Sequence, residues 1–243
     1  MWPRVAALAL HGLCYLLVTV GTVMAPANQA ERELRRKTAK TWGKPISNLV
    51  VTSQHLTVCS LGALVLYLSL VCRDSQSEAA GALVAVLMPM QTVVGVLYWG
   101  LVLWDPWLLF PRETFPPEDK VAEAVIRRVT RVPKLDHPEL AFFWSLMQQQ
   151  HTLAPLHLWL EHWAGVLPAS AASSPGLLRY ELGLVAAVGI AYIVWNFFCW
   201  RVRGAPAYPV QTSAGLAFYL GCFATAMCAT VVSHTVRLPA VAS

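Results

Sequence analysis

Long apolar runs, nearly free of charge, constrain this 243-residue chain more than any motif in it. Val5–Met24 and Ala79–Trp104 hold no Asp, Glu, Lys or Arg. About 20 apolar residues in a row make a helix long enough to cross the hydrocarbon core of a bilayer. Composition agrees, with 13% charged residues where soluble domains run at about 25%. The chain is therefore expected to be all-α, a single polytopic membrane domain over residues 1–243 built as a bundle of six transmembrane helices. The spans are expected at about 5–24, 47–72, 79–104, 140–163, 177–200 and 210–234. An apolar N-terminal run also marks a signal peptide, but Val5–Met24 is a full span and Pro26 follows where cleavage would fall.

The loops carry the charge. Arg4, Arg73, Arg179 and Arg237 fall on the face shared by the two termini, and the remaining 14 of the 18 Lys and Arg on the other. The positive-inside rule puts that second face in the cytoplasm. A net charge of +5 then points to an anionic leaflet and membrane lipids, not to nucleic acid, for which no binding module is visible. An integral, multi-pass protein of the endoplasmic reticulum or the plasma membrane is expected. In the third loop Val121, Val125, Val129 and Val132 recur at helical spacing, with Lys120, Arg127, Arg128 and Arg131 on the other faces. This predicts a short interfacial amphipathic helix, or else a solvated loop helix. The six cysteines lie in or beside apolar segments without paired spacing, as small core residues do.

The fourth run differs in kind. WSLMQQQHTLAPLHLWLEHW, from Trp144 to Trp163, has the apolar content of a span yet carries Gln148, Gln149, Gln150, His151, His157, Glu161 and His162. Polar groups in hydrocarbon need partners, so this helix must face other helices or a cavity. One reading makes these groups glue between helices. The other makes His151, just ahead of the kink expected at Pro155, a functional residue.

The second span opens with SNLVVTSQHLTV, so Thr52, Gln54, His55 and Thr57 sit in its first turns. Spans two and four both start on the basic face. At the helical rise, Thr52 lies roughly 8 Å and His151 roughly 16 Å along their helices, inside one leaflet. An imidazole can take a hydroxyl's proton while the oxygen attacks an acyl carbon, hydrolase chemistry that needs no cofactor. Asn48 and His55 share the helix face of Thr52 at i−4 and i+3, where either can orient a substrate or the histidine. Metal binding is the competing chemistry, since His157 and Glu161 are spaced i,i+4 with His151 and His162 nearby. Yet His162 points roughly 100° away from Glu161 on a helix. No HExxH or paired HxxxH is present, so no metal set is assigned. Nucleophile-elbow, Walker and dinucleotide signatures are also absent.

Four stretches carry a resemblance through their order and spacing: LVVTSQHLTV, MPMQTVVGVLYW, QQQHTLAPLHLWLE and YIVWNFFCWRVRGAPAYP. Together they resemble the androgen-induced protein and androgen-dependent TFPI-regulating protein family. The resemblance implies a six-span intramembrane threonine hydrolase that cleaves fatty acid esters of hydroxy fatty acids. By motif, the nucleophilic threonine falls on Thr52 and the histidine base on His151; Asn48, His55 and Gln148 are the substrate-binding candidates. The chain departs from the family's animal members at Met147 and Gln148, where they have an Asn-His pair. It also has His55 where Asp or Asn is frequent, and Pro206 where an aromatic precedes their Tyr-Pro. The function expected is thus lipid-ester hydrolysis without cofactor or metal, on a lipid ester substrate. The alternative is a non-catalytic multi-pass scaffold or regulator, and a channel or carrier is a weaker third. No protein partner is indicated.

Overall fold

Helices coincide with the apolar runs because backbone in hydrocarbon must satisfy its own N–H and C=O groups, and a helix does so within one segment. The structure, a computed structural model, describes residues 2–24, 29–53, 55–75, 77–104, 146–167 and 175–241. In chain order these form α1 (Trp2–Met24), α2 (Gln29–Trp42), α3 (Lys44–Ser53), α4 (Leu56–Arg73) and α5 (Glu78–Trp104). A π turn (Gln149–Leu153) then runs into α6 (Ala154–Trp163). Last come α7 (Pro175–Arg203), α8 (Pro209–Ala214) and α9 (Leu216–Val241). Among the described residues, α1, α4, α5, α7 and α9 are each long and apolar enough to cross a membrane. The chain is an integral, multi-pass, all-α membrane protein. The span expected over 140–163 is described from residue 146 onward, as the π turn and α6.

Helix α5 lies centrally, against α4, α6, α7 and α9, and α1 packs along α4. Leu61, Leu64, Leu68, Val84, Leu87 and Leu158 join α4, α5 and α6 in one core. Leu13, Leu16, Ile190, Val194, Leu216 and Leu220 are exposed, giving the apolar exterior that lipid requires. Small residues set the closest approaches. A Cβ at Gly62 would stand 3.1 Å from the ring of Tyr15, and one at Gly95 would stand 3.2 Å from the His151 carbonyl.

Two expected spans are divided. The one read over 47–72 breaks at His55, which is extended (φ −88°, ψ 120°), between α3 and α4. Polar side chains hold the break, with the Ser53 hydroxyl on the Leu49 carbonyl and the Cys59 thiol on the Ser53 carbonyl (3.2 Å). Such local bonds compete with the helical ladder, so only the apolar half, Leu56–Arg73, remains as the crossing helix. The last span breaks at Gly215, whose φ of +53° lies in the left-handed region that glycine adopts freely.

The first loop, read from sequence only as a polar stretch, is the amphipathic helix α2. Leu34 and Thr38 turn inward while Arg32, Arg36, Lys37 and Lys40 face out. Leu34 lies beside Gly204 after α7, so the first and fifth loops share a face. The helix expected in the third loop lies outside the described residues.

Candidate active site

Proline has no N–H to continue a helix, and Pro155 stands at the start of α6. The turn before it widens, with the Ala154 N–H reaching back to the Gln149 carbonyl in the π pattern. That wide turn carries His151. Its Nδ1 bonds to the Met147 carbonyl at 2.8 Å, and a carbonyl only accepts, so Nδ1 holds the proton. Nε2 is then the acceptor, and the Thr57 hydroxyl stands 3.4 Å from it. The ring also stacks on Tyr98, with centroids 3.8 Å apart and planes 17° from parallel.

Thr57 reaches this position because α4 restarts at Leu56, which puts it in the first turn of that helix. Its hydroxyl therefore lies near the positive end of a helix dipole. Thr57 and His151 both face one apolar chamber, walled by Val93 and Tyr98 of α5, Tyr192 of α7 and Phe218, Cys222 and Phe223 of α9. Long apolar walls with a few converging polar groups are what a lipid acyl site requires.

Tyr208, in the turn after α7, closes the chamber beside Thr57. Burial pushes its phenol up to about 12, so it stays protonated. The Tyr208 N–H donates to Gln211 Oε1 (3.0 Å), and Gln211 Nε2 donates to Asn196 Oδ1 (2.9 Å). Asn196 Oδ1 also accepts from the Tyr219 hydroxyl at 2.9 Å.

Most of the other polar groups in the fourth run do serve as glue. Trp99 Nε1 donates to Thr152 Oγ1 (3.1 Å), whose hydroxyl donates to Gln148 Oε1 (2.8 Å). Trp159 Nε1 donates to Thr92 Oγ1 at 3.1 Å. On the opposite side, Gln149 Nε2 lies 2.6 Å from His11 Nδ1 of α1. Arg4 Nε pairs with Glu161 Oε1 at 2.7 Å, and the Tyr67 hydroxyl donates to Glu161 Oε2. His157 Nε2 is 3.8 Å from the same carboxylate. The imidazole and carboxylate weighed as metal ligands are thus gathered around a guanidinium, which a cation site would not tolerate. Among the described residues no group of three His, Cys, Asp or Glu comes together as a metal site would need.

Of the residues singled out from sequence, His151 lines the chamber. Thr52 belongs to the last turn of α3, three residues before the extended His55, and its side chain lies outside what is described. Asn48 is exposed on α3, and His55 stands at the break with its ring edge-on to Tyr208 at 5.3 Å. Gln148 faces Thr152. Asn48, His55 and Gln148 are not among the described residues that line the chamber. Sequence reasoning missed Tyr98, Thr57 and Tyr208 as members of the site, although all three stand inside the quoted motifs.

Fold and site together define a class: a multi-pass helical membrane protein with a histidine and a hydroxyl on the wall of an apolar chamber. The family described as FAR-17a/AIG1-like protein matches residues 8–125, which include α3, α4 and α5. A UPF0641 membrane protein of Schizosaccharomyces pombe is 26% identical over 166 residues, covering 65% of this chain and 60% of that protein. No solved structure matches. The matched residues 8–125, just under half of the chain, contain LVVTSQHLTV and MPMQTVVGVLYW, two of the stretches that carry the resemblance.

Proposed function

We propose that this protein hydrolyses lipid esters within the membrane, with His151 as general base and a threonine as nucleophile. One observation carries the reading. His151 has its Nδ1 occupied by the Met147 carbonyl and its Nε2 turned to a hydroxyl on the wall of an apolar chamber. That is the arrangement a base needs to take a proton from an attacking alcohol. The resemblance to the FAR-17a/AIG1-like family supports the choice of a fatty acid ester of a hydroxy fatty acid as substrate. The acyl chain would lie along the α5, α7 and α9 walls. The threonine oxygen attacks the acyl carbon, its proton passes to Nε2, and the departing alcohol takes that proton. Water then repeats the sequence on the acyl-threonine.

Thr52 is the nucleophile that the resemblance supplies. A second reading gives that role to Thr57, favoured by its 3.4 Å approach to Nε2. Purified protein in detergent, offered branched fatty acid esters and a fluorophosphonate probe, tests both. Labelling and hydrolysis are expected in the wild type and lost in His151→Ala. Peptide mapping of the adduct assigns the nucleophile to Thr52 or Thr57. Labelling that survives His151→Ala, Thr52→Ala and Thr57→Ala alike would remove the mechanism. Variants that lose thermal stability in a protein with no esterase activity would favour the scaffold.

A further inference from the structure

Among the groups around His151, the Tyr98 hydroxyl stands out. The side chain is 3% exposed, and its OH is buried with no hydrogen-bond partner among the described residues. An unpaired polar group in such surroundings is destabilising, by the full desolvation of the hydroxyl. Nearly all buried polar groups in folded proteins find a partner, and one that does not calls for an explanation. Neighbouring polar groups do find theirs: Trp99 Nε1 meets Thr152, Trp159 Nε1 meets Thr92, and His151 Nδ1 meets the Met147 carbonyl.

The position of Tyr98 supplies the explanation. Its ring lies flat on the His151 imidazole, 3.8 Å away, and both residues line the chamber. The ring's other neighbours, Trp99 edge-on at 5.4 Å, Val102 and Met147, hold it in place. An unpaired hydroxyl on a ring stacked against a base, in apolar surroundings, is a donor whose acceptor arrives with a ligand. The acceptor that chemistry at His151 creates is the carbonyl oxygen of the acyl group under attack.

We propose that Tyr98 is the oxyanion donor of this site, its phenol O–H bonding to the carbonyl oxygen of the bound ester and more strongly to the tetrahedral oxyanion. This rests on the hydrolase reading. During attack the carbonyl π pair moves onto that oxygen, the nucleophile's proton goes to His151 Nε2, and the Tyr98 proton stays on the phenol. When the intermediate collapses, the pair returns to the carbonyl and the alcohol leaves with the proton from His151. A donor already in place has no reorganisation to undergo as the charge forms, which is why such groups weigh heavily in rate.

The test is Tyr98→Phe in the full-length protein, purified beside the wild type and His151→Ala. Removing an unpaired hydroxyl leaves thermal stability unchanged or raises it. It is expected to lower kcat by ~10²-fold, with KM nearly unchanged. The rate of labelling by a fluorophosphonate, whose phosphoryl oxygen takes the oxyanion position as fluoride leaves, should fall in proportion. Binding of the product fatty acid should not change. Wild-type kcat in Tyr98→Phe would overturn the proposal and leave the hydrolase reading standing. So would equal losses of product binding and of labelling, or a lower melting temperature that accounts for the lost activity. Wild-type protein with no His151-dependent hydrolysis or labelling would overturn both.

Discussion

Thr57 and Thr52 are five residues apart in LVVTSQHLTV, and at the level of letters nothing separates their chances of meeting a histidine. What separates them is the break at His55, which turns one expected helix into two and puts Thr57 in a fresh first turn. The hydroxyl at His151 is therefore a product of backbone geometry that helical spacing conceals. His151 was legible because an imidazole in an apolar run has few structural excuses. Tyr98 was not, because a tyrosine near a membrane interface is ordinary and only coordinates reveal an unpaired hydroxyl. At this scale Thr57→Val is the informative change. It keeps the shape and removes one neutral hydrogen bond to Nε2, a contribution of about 0.5–1.5 kcal/mol. If Thr57 only steadies the imidazole, fluorophosphonate labelling should slow about two- to tenfold, which that energy range predicts. If Thr57 is the nucleophile, labelling should vanish.

Two elements carry the histidine, the π turn and the stretch of α5 that leans on it. Pro155 was visible in the sequence, and a kink was expected from it. The form of the kink was not, because a proline fixes where a hydrogen bond is missing and not how the preceding turn rearranges. Pro155→Ala restores the absent donor and removes the ring's steric clash, so the turn can close toward the ordinary i→i+4 pattern. His151 should then rotate off the Thr57 hydroxyl. The expected result is a large loss of labelling with equal or higher thermal stability, the opposite of what damage to packing produces. Gly95 is the counterpart on α5. A Cβ there would stand 3.2 Å from the His151 carbonyl, a backbone atom with little room to yield. Gly95→Ala is expected to lower stability by about 1–3 kcal/mol, as overpacking does. Displacing the π turn should also cut labelling further than the stability loss explains, which thermal melts and labelling rates on one preparation will separate. MPMQTVVGVLYW contains this glycine, yet nothing in those residues signals that its neighbour is the turn that carries His151.

At the scale of the whole molecule, hydropathy announces the crossings, while the charges that join them are read only in three dimensions. Arg4 and Glu161 are 157 positions apart, and no sequence spacing pairs them. Together with Tyr67 they tie the start of α1 to the end of α6, and Arg4 also bonds the Val166 carbonyl. His234 and Glu181 do the same for α9 and α7, with Nδ1 and Oε2 3.2 Å apart. The bundle is thus closed near one end by two carboxylate-centred contacts. The chamber lies toward the other, where Tyr208 of the fifth loop lines it. Removing one member of a buried pair leaves the other charged and unmatched, a loss of about 3–5 kcal/mol, while replacing both with apolar groups of similar size is often neutral. Arg4→Met and Glu161→Leu should each lower the melting temperature in detergent sharply, and the double variant should recover most of the loss. Esterase activity, measured well below each melting point, should stay near wild type in all three, because Arg4 and Glu161 are not among the described residues that line the chamber. A double variant that melts like wild type yet has lost activity would mean that the Arg4 cluster reaches the chamber, and the division of labour between the two ends would have to be redrawn.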